Sequence, residues 1–467
     1  MKFVFRTPYR SKSLSIILPL TICSLFLNGC WMGADDKKQK KLEGDRVSVL
    51  AQKTKLEPAV LEASDHMSLS APYMNSSWSQ IGMKSDHFSD HLELSGTLQK
   101  QWSSNIGSSS SGHNKIYVSP VVDQGIIYAM DSASQISAYQ EQTGQKIWSV
   151  SVKPEKERTK LHGGGMAVLG QNLIISTAYG EVLSLDITDG KELWRVSVGS
   201  PIRSAPAVTD NKIFILTADN KLLAMNPVNG KVIWKDTGIS ENASLVGSSS
   251  PAVKDNLVLG AYTSGEINAL NIDTGRMTWS DNLANNRKVG LTSTLSDIKA
   301  PPVIAGEVIL AMSHANKLFA IDRRTGIRRW EEHVGGINMP WVSGNTAFMI
   351  SNEAELIAMN LYNGKIFWIS DLKQQRKKPE SIVWYGPVLA GDKLWITNSL
   401  GELLEYNPEN GTEIGKASYG SEAVIAPIVV NNSMLLLMKN GDLIRLVGDQ
   451  KNTASTYSKA DTGQDTH

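Results

Sequence analysis

Asn229-Gly230-Lys231-Val232-Ile233-Trp234 closes a passage that opens at Ser204-Ala205-Pro206-Ala207-Val208. Between these ends lie Asp210-Asn211, the run Lys212-Ile213-Phe214-Ile215-Leu216, the pair Asp219-Asn220, and Lys221-Leu222-Leu223-Ala224-Met225. The passage is four short β-rich runs separated by Asn, Asp and Gly, with no stretch long enough for a helix. Its closing phrase returns as Thr143-Gly144…Trp148, Asp189-Gly190…Trp194, Thr274-Gly275…Trp279, Thr325-Gly326…Trp330 and Asn363-Gly364…Trp368. A further copy, Asn410-Gly411, has Gly415 in the place of the tryptophan. Successive tryptophans of the phrase stand 38 to 51 residues apart. A period of that size marks stacked or radial repeats.

Four antiparallel strands per unit at this period predict an all-β protein, a β-propeller of four-stranded blades. First strands are expected near Ser119, Gly164, Ser204, Ser249, Lys299, Asn338, Tyr385 and Ala426, which gives eight blades. Seven of these runs carry a proline and the other has Met166. Proline suits the start of a strand, where a ladder donor is dispensable. The eighth unit has middle strands at 431–437 and 442–446 but no Gly/Trp strand after them. Thr97-Leu98-Gln99-Lys100-Gln101-Trp102 has the missing pattern, so an N-terminal strand is expected to complete the last blade and close the ring. Closure covers edges that would otherwise template aggregation. Trp102, Trp148, Trp194, Trp234, Trp279, Trp330 and Trp368 are expected to be structural, packed between blades.

The ends differ from the repeats. Lys2, Arg6, Arg10 and Lys12 precede an apolar stretch from Leu14 to Leu27, followed by Asn28-Gly29-Cys30. This order reads as a secretory signal over residues 1–29. A small residue before Cys30 resembles a bacterial lipoprotein box, which implies acylation of Cys30. The only other cysteine, Cys23, would leave with the signal. Trp31, rather than an aspartate, follows Cys30, which by resemblance to lipoprotein sorting favours the outer membrane. Residues 30–95 lack the repeat and are expected to be a flexible tether, and 448–467 a disordered polar tail, leaving the propeller at 96–447. His87 and His91 stand four apart without an evident third metal ligand. Lys373, Arg376, Lys377 and Lys378 read as a solvated loop.

A net charge of +1 gives no basis for nucleic-acid binding. No Gly-Lys-Ser/Thr loop, His-Glu-x-x-His or Gly-x-Ser-x-Gly elbow is present. The blade phrase resembles the repeat of pyrroloquinoline-quinone (PQQ) dehydrogenases. Those enzymes use a metal-binding carboxylate and amide, a catalytic aspartate and usually a disulfide of adjacent cysteines, and no cysteine follows residue 30 here. No cofactor and no catalysis are therefore expected.

The signal, tether and compact Trp-ended blades together resemble the BamB family, lipoprotein subunits of the machine that inserts β-barrels into the bacterial outer membrane. The likeness spans about residues 97 to 447. It implies a non-catalytic scaffold, lipid-anchored on the periplasmic face of the outer membrane, that binds the central barrel subunit BamA, with nascent outer-membrane proteins as a second candidate partner. A quinoprotein enzyme and a periplasmic sensor or adhesion propeller are the competing readings. Two adjacent blade junctions are long, 239–248 and 284–298, and both join an outer strand to the next inner strand, so both belong to one face. They carry Leu245, Val246, Leu291, Leu295 and Ile298, and long loops on a rigid scaffold are where binding is expected. The family resemblance places the BamA contact in these loops. Leu245 matches a contact leucine, while Val246 and Ala243 stand where the family has an arginine and a leucine. Asp297 matches the first acidic contact and Lys299 replaces the second.

Overall fold

The computed structural model describes residues 56–62, 65–110, 116, 118–159, 161–239, 249–283, 298–374, 376 and 381–449. These residues form eight four-stranded antiparallel sheets and no α-helix. Each sheet is one blade, and in seven of them the strands run from the axis outward in chain order. Blade 1, for instance, uses Val121–Asp123, Ile126–Met130, Gln135–Gln140 and Lys146–Ser151. In six blades the inner strand is only three residues long and begins just after a proline, as the missing ladder donor requires. Blade 2, which has Met166 instead, extends its inner strand over Gly164–Leu169.

The burial pattern follows from packing on both faces. In the second strand of blade 3, Ile213, Phe214, Ile215 and Leu216 are all buried, because neighbouring blades cover the sheet on either side. The outermost strand, Val232–Thr237, is mostly exposed with every second residue shielded. A middle strand therefore reads as a continuous apolar run, and an outer strand as an alternation.

The Gly/Trp phrase has a mechanical meaning across blades. The Trp148 indole N–H donates to the Ile187 carbonyl of blade 2 at 3.0 Å, and Trp234 donates to Ile272 of blade 4 at 2.9 Å. Each ring also lies against the turn glycine of the next blade. A Cβ on Gly190 would sit 2.7 Å from the Trp148 ring, and one on Gly275 would sit 2.7 Å from Trp234. Those glycines have φ near +70° (Gly190 +75°, Gly275 +67°), a region that costs a side chain strain. So the glycine of one phrase receives the tryptophan of the preceding one. Trp102, Trp194, Trp279, Trp330 and Trp368 make the corresponding bonds, to Glu141, Pro227, Arg323, Leu361 and Pro408. Blade 7 has Gly415 in that position, and blade 8 has no outer turn to receive a tryptophan.

Blade 8 is closed by Leu98–Asn105, which pairs antiparallel with Asp442–Gly448. Pairing reaches Gly448, one residue past the expected end of the propeller. The seam with blade 1 holds a buried ion pair. Arg445 donates to Glu141 at 3.0 Å, with side-chain exposures of 4% and 0%, and Asn431 Nδ2 donates to the same carboxylate at 2.7 Å.

The tether expectation fails over residues 65–95, which form a strap around the propeller axis. Inner strands leave one edge of backbone groups unpaired, and the strap supplies partners blade by blade. Trp78 and Val122 of blade 1 exchange backbone bonds of 2.7 and 2.9 Å. Val168 of blade 2 donates to the Ser79 carbonyl, Val208 of blade 3 to the Gln80 side-chain oxygen, Val253 of blade 4 to Ser85, and Ile304 of blade 5 to Asp86. Asp90 accepts from the Trp341 indole and the Ser343 hydroxyl of blade 6, and Leu92 exchanges bonds with Leu389 and Gly391 of blade 7. Asn75 holds blade 8 through Val429 and Asn431. The chain thus makes one circuit, turning through left-handed residues at Gly82, Met83, His87 and Asp90. Trp78, Met83 and Leu92 are buried on the way.

Candidate functional site

The anchors of both long junctions are described, and they are rigid. Before the first junction, the Asn220 side chain donates to the Ile239 carbonyl at 2.6 Å, and Ile239 N–H donates to Glu266 at 2.8 Å. The second junction leaves from Leu283, fully buried and bonded through its N–H to Gly265 at 2.7 Å, and returns at buried Ile298. Between them, the Tyr262 hydroxyl donates to Asp236 at 2.6 Å and Asn268 donates to the same carboxylate at 3.2 Å. Burial, and then the Asp236 carboxylate, push the Tyr262 phenol far up, so it stays a neutral donor. Leu245, Val246 and Asp297 lie outside the described residues.

Lys299 is described, and it lines a cavity on the axis of the ring rather than standing out from a loop. The cavity measures about 500 Å³, within the usual range for ligand pockets. Its walls are residues at or just ahead of the starts of the inner strands, among them Ser119, Ser204, Ser250, Pro301 and Tyr385. Its floor is the strap, at Trp78, Ile81 and Gly82, beside Trp341. The Trp78 and Trp341 rings stack with centroids 6.4 Å apart. The strap therefore turns an axial channel into a cup, with its mouth on the face that carries the blade junctions.

The remaining sequence candidates resolve as structural. His87 Nδ1 meets the Pro302 carbonyl at 2.8 Å, and burial lowers its pKa. His91 uses Nδ1 on the Ser70 carbonyl at 2.9 Å and accepts the Asp392 N–H at 3.0 Å through Nε2. Each ring serves a different contact of the strap. Arg376 is not a solvated loop residue. Its side chain is 8% exposed, is paired with Glu402 and Glu413, and lies over the Trp384 ring at 5.3 Å. Lys377 and Lys378 lie outside the described residues. The cup itself was hidden from sequence reasoning because its floor is aperiodic. The signal available was the apolar content of 65–95, with Trp78, Ile81, Met83, Phe88, Leu92 and Leu94 too closely spaced for a tether.

A family model described as "Outer membrane protein assembly factor BamB" matches residues 132–370, 239 of the 467. The chain belongs to the BamB family. Its BamB relative in Yersinia pestis is 23% identical over 348 residues, covering 73% of this chain and 87% of the relative. The BamB of Escherichia coli K12 is 25% identical over 347 residues, covering 73% and 86%. Among solved structures, BamB from Moraxella catarrhalis matches with a TM-score of 0.66 at 18% identity, covering 75% of this chain and all of that one. A quinohemoprotein alcohol dehydrogenase from Comamonas testosteroni matches with a TM-score of 0.62 at 17% identity, covering 83% and 82%. At these identities the structural likeness carries the fold alone. The strap lies outside the stretch matched by the BamB model.

The axial cup does not fit a quinone with its metal. Glu422 is its one acidic side chain among the described lining residues, and that carboxylate is paired with Lys439 at 2.6 Å. A calcium ion takes six to eight oxygens, carboxylates prominent among them. Among the described residues, no group of three or more His, Cys, Asp or Glu is placed to hold a metal.

Proposed function

We propose that this protein is a non-catalytic scaffold of the β-barrel assembly machinery, held by acylated Cys30 on the periplasmic face of the outer membrane, and that it binds a BamA-like barrel subunit through its two long junctions. The observation that carries this reading is membership of the BamB family together with the stiff framework under those junctions. Asn220, Glu266, Gly265 and Tyr262 fix where the two loops leave and rejoin blades 3 to 5. Leu245 would supply the apolar anchor and Asp297 a charge beside it.

Pull-down of the partner's soluble periplasmic modules tests this, with circular dichroism as the folding control. Leu245→Asp should weaken capture by about 2 kcal/mol or more, as loss of an interface anchor does. Asp297→Ala should cost less, because a rim charge is partly screened. If Leu245→Asp binds as well as the parent, this face is not the interface. Mass spectrometry of the mature N-terminus checks the anchor, and an unmodified Cys30 rules it out.

A further inference from the structure

The axial cup is polarised across its diameter. On the side of blades 6 to 8, its wall is Ile337, Met339, Val383, Val424 and Ile425. Ile337 and Val383 are 38% and 44% exposed, so large apolar side chains face the space uncovered. On the opposite side, blades 2 to 5 contribute His162, Arg203, Ser204, Ser250 and Lys299. Glu422, the one acidic side chain among the described lining residues, is matched by Lys439. Arg203 is only partly exposed and has no hydrogen bond or ion pair among the described residues. An unpaired guanidinium on the wall of a cavity is a ready partner for an anion.

The glycines beside Arg203 keep that place open. Gly163 packs against Arg203, and its φ of +131° suits glycine, so no side chain stands between them. A Cβ on Gly165 would come within 2.4 Å of Ala205. Blade 2 therefore presents bare backbone beside Arg203, just ahead of Met166, the residue that stands where the other blades have a proline. The floor below is the stacked Trp78 and Trp341 pair with Ile81.

We propose that the axial cup binds a single apolar carboxylate, its carboxyl group on Arg203 and its hydrocarbon body against Ile337, Met339 and Val383. Two sources supply that chemistry, a free fatty acid and the C-terminal residue of a polypeptide. Arg203 and Ile337, on which the proposal rests, belong to neither long junction, so it does not depend on the partner proposed above.

Isothermal titration of the full mature protein tests this with four probes: decanoate, decanol, an acetylated dipeptide ending in leucine, and the amide of that dipeptide. Decanoate or the free-acid peptide should bind with one-to-one stoichiometry, and its neutral counterpart about tenfold or more weakly, since a hydrogen bond to a charged group supplies that difference. Arg203→Gln should abolish the preference for the acid, and Ile337→Asn should weaken acid and neutral probes alike. Neither variant should shift the melting curve, as both side chains are partly exposed. Binding by decanoate alone identifies a lipid source, and binding by the peptide acid alone a chain terminus. The proposal is overturned if no probe binds, if acid and neutral forms bind equally, or if Arg203→Gln leaves the acid preference intact.

Discussion

Blade 3 and the strap bury the same kinds of side chain by different means. In blade 3, Phe214 is covered because its strand has partners on both sides and the Trp234 ring lies 5.9 Å away. Every one of those neighbours is close in sequence or stands one repeat away. In the strap, Leu92 is equally buried, yet its hydrogen-bond partners are Leu389 and Gly391, and those of Asn75 are Val429 and Asn431. The blade is stabilised by repetition and the strap by a set of unrelated, one-off contacts. Periodic order leaves a mark in sequence that can be counted, while aperiodic order of the same quality does not.

The sharpest way to break this comparison is to remove the strap and keep the blades. A chain beginning at Leu94 retains the closing strand and on sequence grounds should behave as well as a longer one. The structure predicts otherwise, because Trp78, Met83 and Leu92 leave the core. At about 1.5 to 3 kcal/mol for each such side chain, the loss is roughly 5 kcal/mol or more. Its melting temperature should fall clearly below that of a chain beginning at Leu56. Equal melting would mean that the strap is an ornament on a self-sufficient ring.

The blades answer to a different test. Trp368→Ala should cost about 3 to 5 kcal/mol, as large-to-small changes in cores do. Gly411→Ala should also destabilise, since its Cβ would meet the Trp368 ring at 2.4 Å and its φ is +70°. The pair should not be additive. Once the ring is gone the clash is gone, so the double variant should be more stable than the sum predicts, leaving only the backbone strain. Chemical denaturation of the four proteins gives the coupling. A coupling near zero would show that glycine and tryptophan do not act as one unit across blades.

Eight blades, their approximate starts and the closing strand could all be read from the spacing of the Gly/Trp phrase, because each blade repeats the same buried contact. The cup could not be read in that way. Arg203, Lys299 and Ile337 share one repeat position, three residues before Pro206, Pro302 and Pro340, but that position holds a different side chain in each blade and so leaves no repeated phrase to count. The strap leaves no such mark because its turns, at Gly82, Met83, His87 and Asp90, come singly and at no repeated spacing.

The smallest expected effect sharpens the comparison by pH. His87 is held neutral by burial, and its folded pKa lies below the ordinary histidine value. Below pH about 6.5 the unfolded chain takes up a proton that the folded one refuses, so stability falls as the pH drops. The loss grows as the pH falls further below the ordinary histidine value. His87→Asn removes the titration and keeps a residue that tolerates the +60° φ found there. The difference in stability between pH 7 and pH 5.5 should therefore be larger for the parent than for the variant. Identical pH profiles would show that His87 can be protonated in place.

The circuit of the strap also bears on timing. Residues 75–95 emerge from the ribosome before any blade exists, yet their partners extend to Asn432, more than three hundred residues later. Until blade 8 is synthesised, the strap has no complete ring to fasten, and the closing strand next to it has no sheet to join. The closing strand therefore docks last although it is made first, in a step that joins residues 98–105 to 442–448 across more than three hundred residues. Such long-range closure is intrinsically slow, so the protein passes through a stage in which a nearly finished ring waits for its own beginning.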